Sequence, residues 1–287
     1  MLVGGHVVDR ELVLLSLALF VGSPLSLLFG LWPALHHSGF NSAQELEQFR
    51  WRQLWLPLLP TTLALFSIVG WALYEPENSE ALPVSLIVVA GLFSVLWLRA
   101  LYRALRRLLL RERVLLAGTV GLFRPRVIIS ARLAQALDSE ALSAVQAHEG
   151  SHQRHKDPLR IWLAQLATDL QWPWPSTKHR LLYWRFALEL ARDEEARAEG
   201  VDGADLAAAI LTAAHLKLGP EPAIHASLLG TSEALQYRIE RLLAPLPTAS
   251  THPTNRWWLL LFLALSSIVL GAVFGEEIVR YLLARLS

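Results

Sequence analysis

Hydrophobic and polar positions are sharply segregated along this chain. Four stretches carry no Asp, Glu, Lys or Arg: Leu12 to Leu35, Gln53 to Tyr74, Ala81 to Leu98 and Trp257 to Gly275. Each is near the roughly 20 apolar residues that a helix needs to cross a bilayer. Pro24, Pro33, Pro57 and Pro60 fall within the first two, where neighbouring helices can satisfy the freed carbonyls. The pattern predicts about four transmembrane helices.

Between the third and fourth stretches the pattern becomes amphipathic and mostly helical. Val114-Leu115-Leu116, Gly118, Gly121 and Val127-Ile128-Ile129 read as short strands joined by a turn. Pro125, just before the second run, suggests an edge strand. A helix is expected from Asp138, an N-cap residue with Glu140 in the first turn, to about His155. Asp157-Pro158 signals the next helix, with Asp as N-cap and Pro at the first helical position, running to about Gln171. Further helices are expected from Ser176 or Thr177 to Gly200, from Asp202 or Asp205 to Leu218, and from Ser232 to Leu243.

Composition agrees with a membrane-associated chain. Of 287 residues, 53% are apolar and only 18% charged, and there are eleven Trp. The net charge of +1 gives no basis for a nucleic-acid partner. Without cysteine there is no disulfide framework, thiol nucleophile or thiolate metal site, so any metal is held by His and carboxylate. The distribution of charge predicts topology. Arg99, Arg103, Arg106, Arg107, Arg111 and Arg113 follow the third stretch, and Arg50 and Arg52 lie between the first two. Glu75, Glu77 and Glu80 lie between the second and third with no cation. An excess of Lys and Arg marks the cytoplasmic side. That places 103–255 in the cytoplasm, between a three-span region at 1–102 and a final span and tail at 256–287. Asp9, Arg10 and Glu11 before a long apolar run do not resemble a cleaved signal peptide. Trp172, Trp174, Trp184, Trp257 and Trp258 are candidates for the membrane interface.

The chemistry centres on His148-Glu149-Gly150-Ser151-His152. Two histidines four apart on a helix direct both imidazoles to one face, and Val145 shares that face as an anchor in the core. Glu149 beside them can reach a metal-bound water as general base. Gly150 inside such a helix costs about 1 kcal/mol relative to Ala, which close packing against a neighbouring backbone would explain. A catalytic zinc site takes three protein ligands and keeps one position open. Candidates for the third are His155, His179, His215, His225 and, better placed on a later helix, Glu189. Asp193 lies four residues on, where it can accept the other ring N–H of a ligand histidine.

These segments together resemble the BlaR/MecR family of membrane metallopeptidases, with the related HtpX-type proteases sharing the layout. The resemblance rests on Val120 to Ile129, Leu137 to Leu142, Ala147 to His152, Asp157-Pro158, Glu189-Leu-Ala-Arg-Asp193 and Arg238-Ile-Glu-Arg-Leu242, and spans roughly 114–243. It implies a mainly α polytopic membrane protein whose helical gluzincin-type zinc peptidase domain carries a short β-hairpin or edge strand. It also implies His148, His152 and Glu189 as zinc ligands with Asp193 behind them. No large extracellular sensor follows the fourth stretch, and no His-Pro precedes Arg238 as in HtpX-type proteins.

The mechanism so implied is hydrolysis of protein or peptide substrates at the bilayer, with Glu149 moving the proton. Arg238, Tyr237 and His225 are candidates to hold the oxyanion, Arg238 being favoured by its matching segment. The edge at Val127 to Ile129 could receive substrate as an added strand. BlaR-like wording points to regulatory cleavage of a repressor-type substrate. The rival is a non-catalytic membrane scaffold or signalling module on the same fold. A transporter is disfavoured because no charge lies within the four stretches.

Overall fold

The computed structural model describes residues 2–3, 6–7, 40, 42–58, 84–109, 116–172, 176–218 and 232–246, with the backbone alone at 2–3, 6–7, 84–90, 92, 93, 217, 218 and 232. It divides into two compact units: 1–37, 55–98 and 251–287 form one, and 38–54 with 99–250 the other. In the first unit, strands β1 (Leu2–Val3) and β2 (His6–Val7) pair antiparallel.

The expected spans 12–35 and 257–275 and most of 53–74 lie outside the described residues. Among the described residues no helix is long and apolar enough to cross a membrane, which leaves the expected four-span architecture without support there. Residues expected as a loop between the first two spans form helix α1 (Ala43–Trp55), followed by a 3-10 turn at Leu56–Leu58. The third expected span falls mainly on α2 (Val84–Leu109).

Among the described residues the second unit is helical with one hairpin. Strands β3 (Ala117–Val120) and β4 (Arg126–Ile129) pair antiparallel, Ala117 opposite Ile129 and Val120 opposite Arg126. The first strand thus lies later than the Val114-Leu115-Leu116 run. The connection needs Gly121, whose φ of +100° is open to glycine, and where an added Cβ would stand 2.7 Å from the Arg124 carbonyl oxygen. A short helix α3 (Ala131–Ala136), unforeseen in the pattern, leads to α4 (Ser139–Arg154). Asp138 caps α4 as expected, accepting from the Ala141 N–H at 2.8 Å. Then follow α5 (Asp157–Leu170), α6 (Ser176–Ala198), α7 (Gly203–Leu218) and α8 (Ser232–Leu243).

Small residues bring these helices together. Ala144 of α4, Ala196 of α6, Leu206 and Ala207 of α7, and Leu242 of α8 form one buried cluster. Ala141 and Val145 of α4 meet Ala209 of α7, with Ala117 and Ile129 of the hairpin against them, so Val145 anchors α4 as expected. Ala43 of α1 packs on Leu190 and Ala191 of α6. The arginine-bearing end of α2 docks on α5: Arg103 and Arg107 pair with Asp169 at 3.0 and 2.5 Å, and the Trp162 indole donates to the Ala104 carbonyl. Trp184, a candidate for the membrane interface, is instead fully buried, because its indole N–H finds the Glu47 carboxylate at 2.7 Å. Trp172 remains exposed, under the Arg99 guanidinium at 4.6 Å.

Two glycines behave oppositely. A Cβ at Gly203 would meet the Leu242 carbonyl oxygen at 2.0 Å, so the start of α7 approaches the end of α8 as only glycine allows. A Cβ at Gly150 would meet nothing closer than the Arg154 guanidinium at 3.6 Å, so close backbone packing does not explain that residue. In urea unfolding of the full chain, Gly203→Ala should lose on the order of 1–3 kcal/mol through forced separation of α7 and α8. Gly150→Ala should gain about 1 kcal/mol from helix propensity.

Candidate metal centre

Helix α4 carries His148 and His152 one turn apart on its buried face, rings edge-to-face with centroids 4.8 Å apart. Their Nε2 atoms stand 3.2 Å from one another. From α6, Glu189 brings Oε2 to 3.6 Å from His148 Nε2 and Oε1 to 3.8 Å from His152 Nε2. Ligand atoms about 2.0–2.1 Å from a tetrahedral metal are about 3.3–3.4 Å from each other, so the three edges fit a single ion. Two imidazoles and one carboxylate also suit its chemistry, and among the described residues this is the group that could hold a metal. Glu189 is the third member. His155 instead pairs with Glu195 at 2.9 Å, His179 and His215 are exposed, and His225 lies outside the described residues.

The far side of each ring is held by an aspartate. His148 Nδ1 lies 2.9 Å from Asp193 Oδ1, and His152 Nδ1 lies 2.9 Å from Asp157 Oδ2. Asp157 in hydrogen-bond alignment favours the proton on His152 Nδ1 and turns Nε2 to the gap, whereas Asp193 stands at ion-pair distance from His148 Nδ1 without that alignment. Asp193 thus lies beside His148 without a hydrogen bond to its ring, and Asp157 does not act as the helix cap. Lys156 occupies the cap position with φ +52° and ψ +42° and makes no side-chain cap bond. This left-handed residue turns the chain so that Asp157 opens α5 fully buried, facing back to His152. Arg192, one residue before Asp193, clasps it: Nε to Oδ2 at 2.6 Å and Nη2 to Oδ1 at 3.1 Å.

Arg238 on α8 is drawn onto the same carboxylates. Its Nε and Nη2 donate to the two Asp193 oxygens at 2.9 Å each, and Nη1 stands 3.1 Å from Glu189 Oε2. Tyr237, beside it, is half exposed and lies tilted against Phe186, with ring centroids 5.7 Å apart. Glu149 points to the hairpin, where the Thr119 hydroxyl on β3 lies 2.9 Å from both its carboxylate and its carbonyl oxygen.

Burial opposes charge on all these groups, yet their neighbours prevail. Glu189, though about a third of its side chain meets solvent, is held well below the usual carboxylate range by Arg238 and the two histidines. Asp193 is lowered by Arg238 and His148. Asp193 and Glu189 in turn raise His148 to about 10, and they raise Arg238. Asp157 falls to about 2 through His152 and Arg192.

Asp157, Arg192 and Thr119 entered without a functional assignment in the sequence. Asp157 was legible as part of Asp-Pro and Arg192 as the residue between two assigned carboxylates, but nothing in the local pattern singled out Thr119.

A His-x-x-x-His helix met by a glutamate from a second helix, with aspartates behind the imidazoles, is the donor set of a metallopeptidase. Residues 82–242 match the family model described as BlaR1 peptidase M56, and the chain belongs to that family. Neither a curated protein nor a solved structure matches it.

Asp157 dictates a pH dependence. Its carboxyl titrates near 2 in the fold and near 3.9 in an unfolded chain, so its contribution is fully present above the unfolded value. It is lost as pH falls through about 2 and amounts to on the order of 2 kcal/mol. Asp157→Asn leaves Arg192 with Glu195 alone and should cost about 3–5 kcal/mol at pH 7. In acid unfolding of the metal-free chain, the variant should also lose less stability between pH 5 and 2 than the parent.

Proposed function

We propose that this chain is a membrane-embedded zinc endopeptidase of gluzincin type that cleaves protein or peptide substrates, in the regulatory manner of a repressor-cleaving enzyme. The observation carrying this reading is the convergence of His148, His152 and Glu189 on one gap, with Asp193 and Asp157 orienting the imidazoles. Family membership supports the peptidase reading. The bilayer reading draws on the four uncharged stretches and on the face of α2 that leaves Leu98, Leu101, Tyr102, Leu105 and Leu109 exposed beside its arginines. A peptidase domain at 103–255 facing the cytoplasm, between membrane regions 1–102 and 256–287, follows from the same arginines.

Zinc held by the two histidines and Glu189 would supply Lewis acidity, polarising the scissile carbonyl and acidifying the attacking water. Glu149, one residue from His148 and steadied by Thr119, takes the water's proton and delivers it to the leaving amine. Asp193 and Asp157 keep the ring nitrogens facing the site. Arg238 holds Glu189 and Asp193 in register. It is also the cation best placed for the oxyanion, since its Nη1 reaches the Glu189 carboxylate at the gap. The hairpin that carries Thr119 offers its strand edge to an extended substrate, with Gln153 tying the hairpin to α4 through the Pro125 carbonyl at 2.9 Å.

The test is zinc content and proteolysis of casein by the purified full chain. Glu149→Gln should retain zinc and lose cleavage by about 10²–10⁴-fold. Glu189→Ala should weaken zinc binding by at least about tenfold. Cleavage that persists in Glu149→Gln, or zinc affinity indifferent to Glu189→Ala, would contradict these roles.

A further inference from the structure

Behind His152 lies a second tier of buried charge that leads away from the peptidase helices. Asp157, which backs His152, also accepts from Arg160 Nη1 through Oδ1 at 3.1 Å. The other end of that guanidinium, Nη2, pairs with Glu47 Oε1 on α1 at 2.5 Å. Glu47 is buried, and the same oxygen accepts the Trp184 indole N–H at 2.7 Å. The Arg160 guanidinium lies against a pair of adjacent indoles, 5.0 Å from the Trp51 ring and 5.8 Å from Trp184, whose centroids are 5.0 Å apart. Its place is therefore fixed by α1 and α6 together. The α1 helix is itself seated by the α6 strip that carries the site, since Glu194 Oε2 accepts the Ala43 N–H at 2.7 Å.

Charge gives this chain of contacts a consequence. Asp157 faces two guanidinium groups, Arg192 and Arg160, as well as His152. Two full cations on one carboxylate compete with the imidazole N–H for its lone pairs and leave excess positive charge behind a metal ligand. Glu47 binds the free end of Arg160 as Glu195 binds that of Arg192, so each guanidinium is shared between two carboxylates. Buried charges need such pairing, and a partner removed leaves the remainder uncompensated. Second-tier contacts of this kind orient metal-binding histidines and tune their affinity.

We propose that Glu47 is a positioning residue of the metal centre: through Arg160 and Asp157 it sets the orientation of His152, which makes helix α1 part of the site. This rests on the proposed assignment of His148, His152 and Glu189 as metal ligands.

The experiment measures zinc affinity of the full-length chain by competition with a chelator, together with the visible absorption of its cobalt(II) form and the melting temperature of the metal-free form. Glu47→Gln keeps the shape and both acceptor contacts but removes the charge. It should weaken zinc binding about 3–10-fold and alter the cobalt bands. Glu47→Asp, which keeps the charge, should recover much of the affinity. Arg160→Lys, which keeps a cation but cannot span both carboxylates, should weaken binding to a similar degree and reads the link from its other end if Glu47→Gln folds poorly. Wild-type affinity and cobalt spectrum in both Glu47→Gln and Arg160→Lys would overturn the inference, even if their melting temperatures fall. A parent chain that binds no zinc, or binds it independently of Glu189, would overturn the ligand assignment itself and the inference with it.

Discussion

Each histidine on α4 has two nitrogens, and the whole centre depends on which of them faces the gap. Asp193 on His148 and Asp157 on His152 take the Nδ1 side, so the Nε2 atoms are left 3.2 Å apart and open toward Glu189. Without those contacts the rings could rotate about their χ angles or carry their proton on the other nitrogen, and three donor atoms would no longer converge. The two aspartates come from different directions, Asp193 from the middle of α6 and Asp157 from the first residue of α5. The packing of α4 against α5 and α6 therefore acts as the frame of the site. The alanine-rich interfaces at Ala144, Ala164, Ala187 and Ala196 allow backbones to approach closely enough for such short side chains to meet.

Placing this many ionisable groups in the interior is costly unless each has a partner. The chain meets that constraint by alternating signs. Arg238 spans Glu189 and Asp193, Arg192 spans Asp157 and Glu195, and Arg160 spans Asp157 and Glu47. Every one of these arginines serves two carboxylates on different elements or different turns, as a flat guanidinium with five donors can and a lysine cannot. Rigidity at the metal ligands follows from the same network, because no single side chain can move without uncovering a buried charge.

Much of this was legible along the chain. The i, i+4 pair His148 and His152, the i, i+4 pair Glu189 and Asp193, and the boundaries of α4, α6, α7 and α8 follow from periodicity and capping residues, since those signals are local. What escaped was set by tertiary context. Asp157 reads as a helix cap from Asp-Pro, but the left-handed turn at Lys156 moves the cap back by one residue and turns the carboxylate into the core. Trp184 reads as an interfacial aromatic until Glu47, 137 positions away in sequence, supplies its partner. Helix α1 was hidden because an amphipathic segment with Arg50 and Arg52 looks like a charged loop between apolar stretches. Thr119 became relevant only when the hairpin was laid across α4.

The claim that two imidazoles and a carboxylate share one metal is tested most directly by X-ray absorption spectroscopy of the zinc-loaded full-length chain at one equivalent of metal. The account predicts a first shell of two imidazole nitrogens with oxygen donors completing it, and loss of one oxygen contribution or of tight binding in Glu189→Ala. A shell with one imidazole, or with three or more, would contradict it.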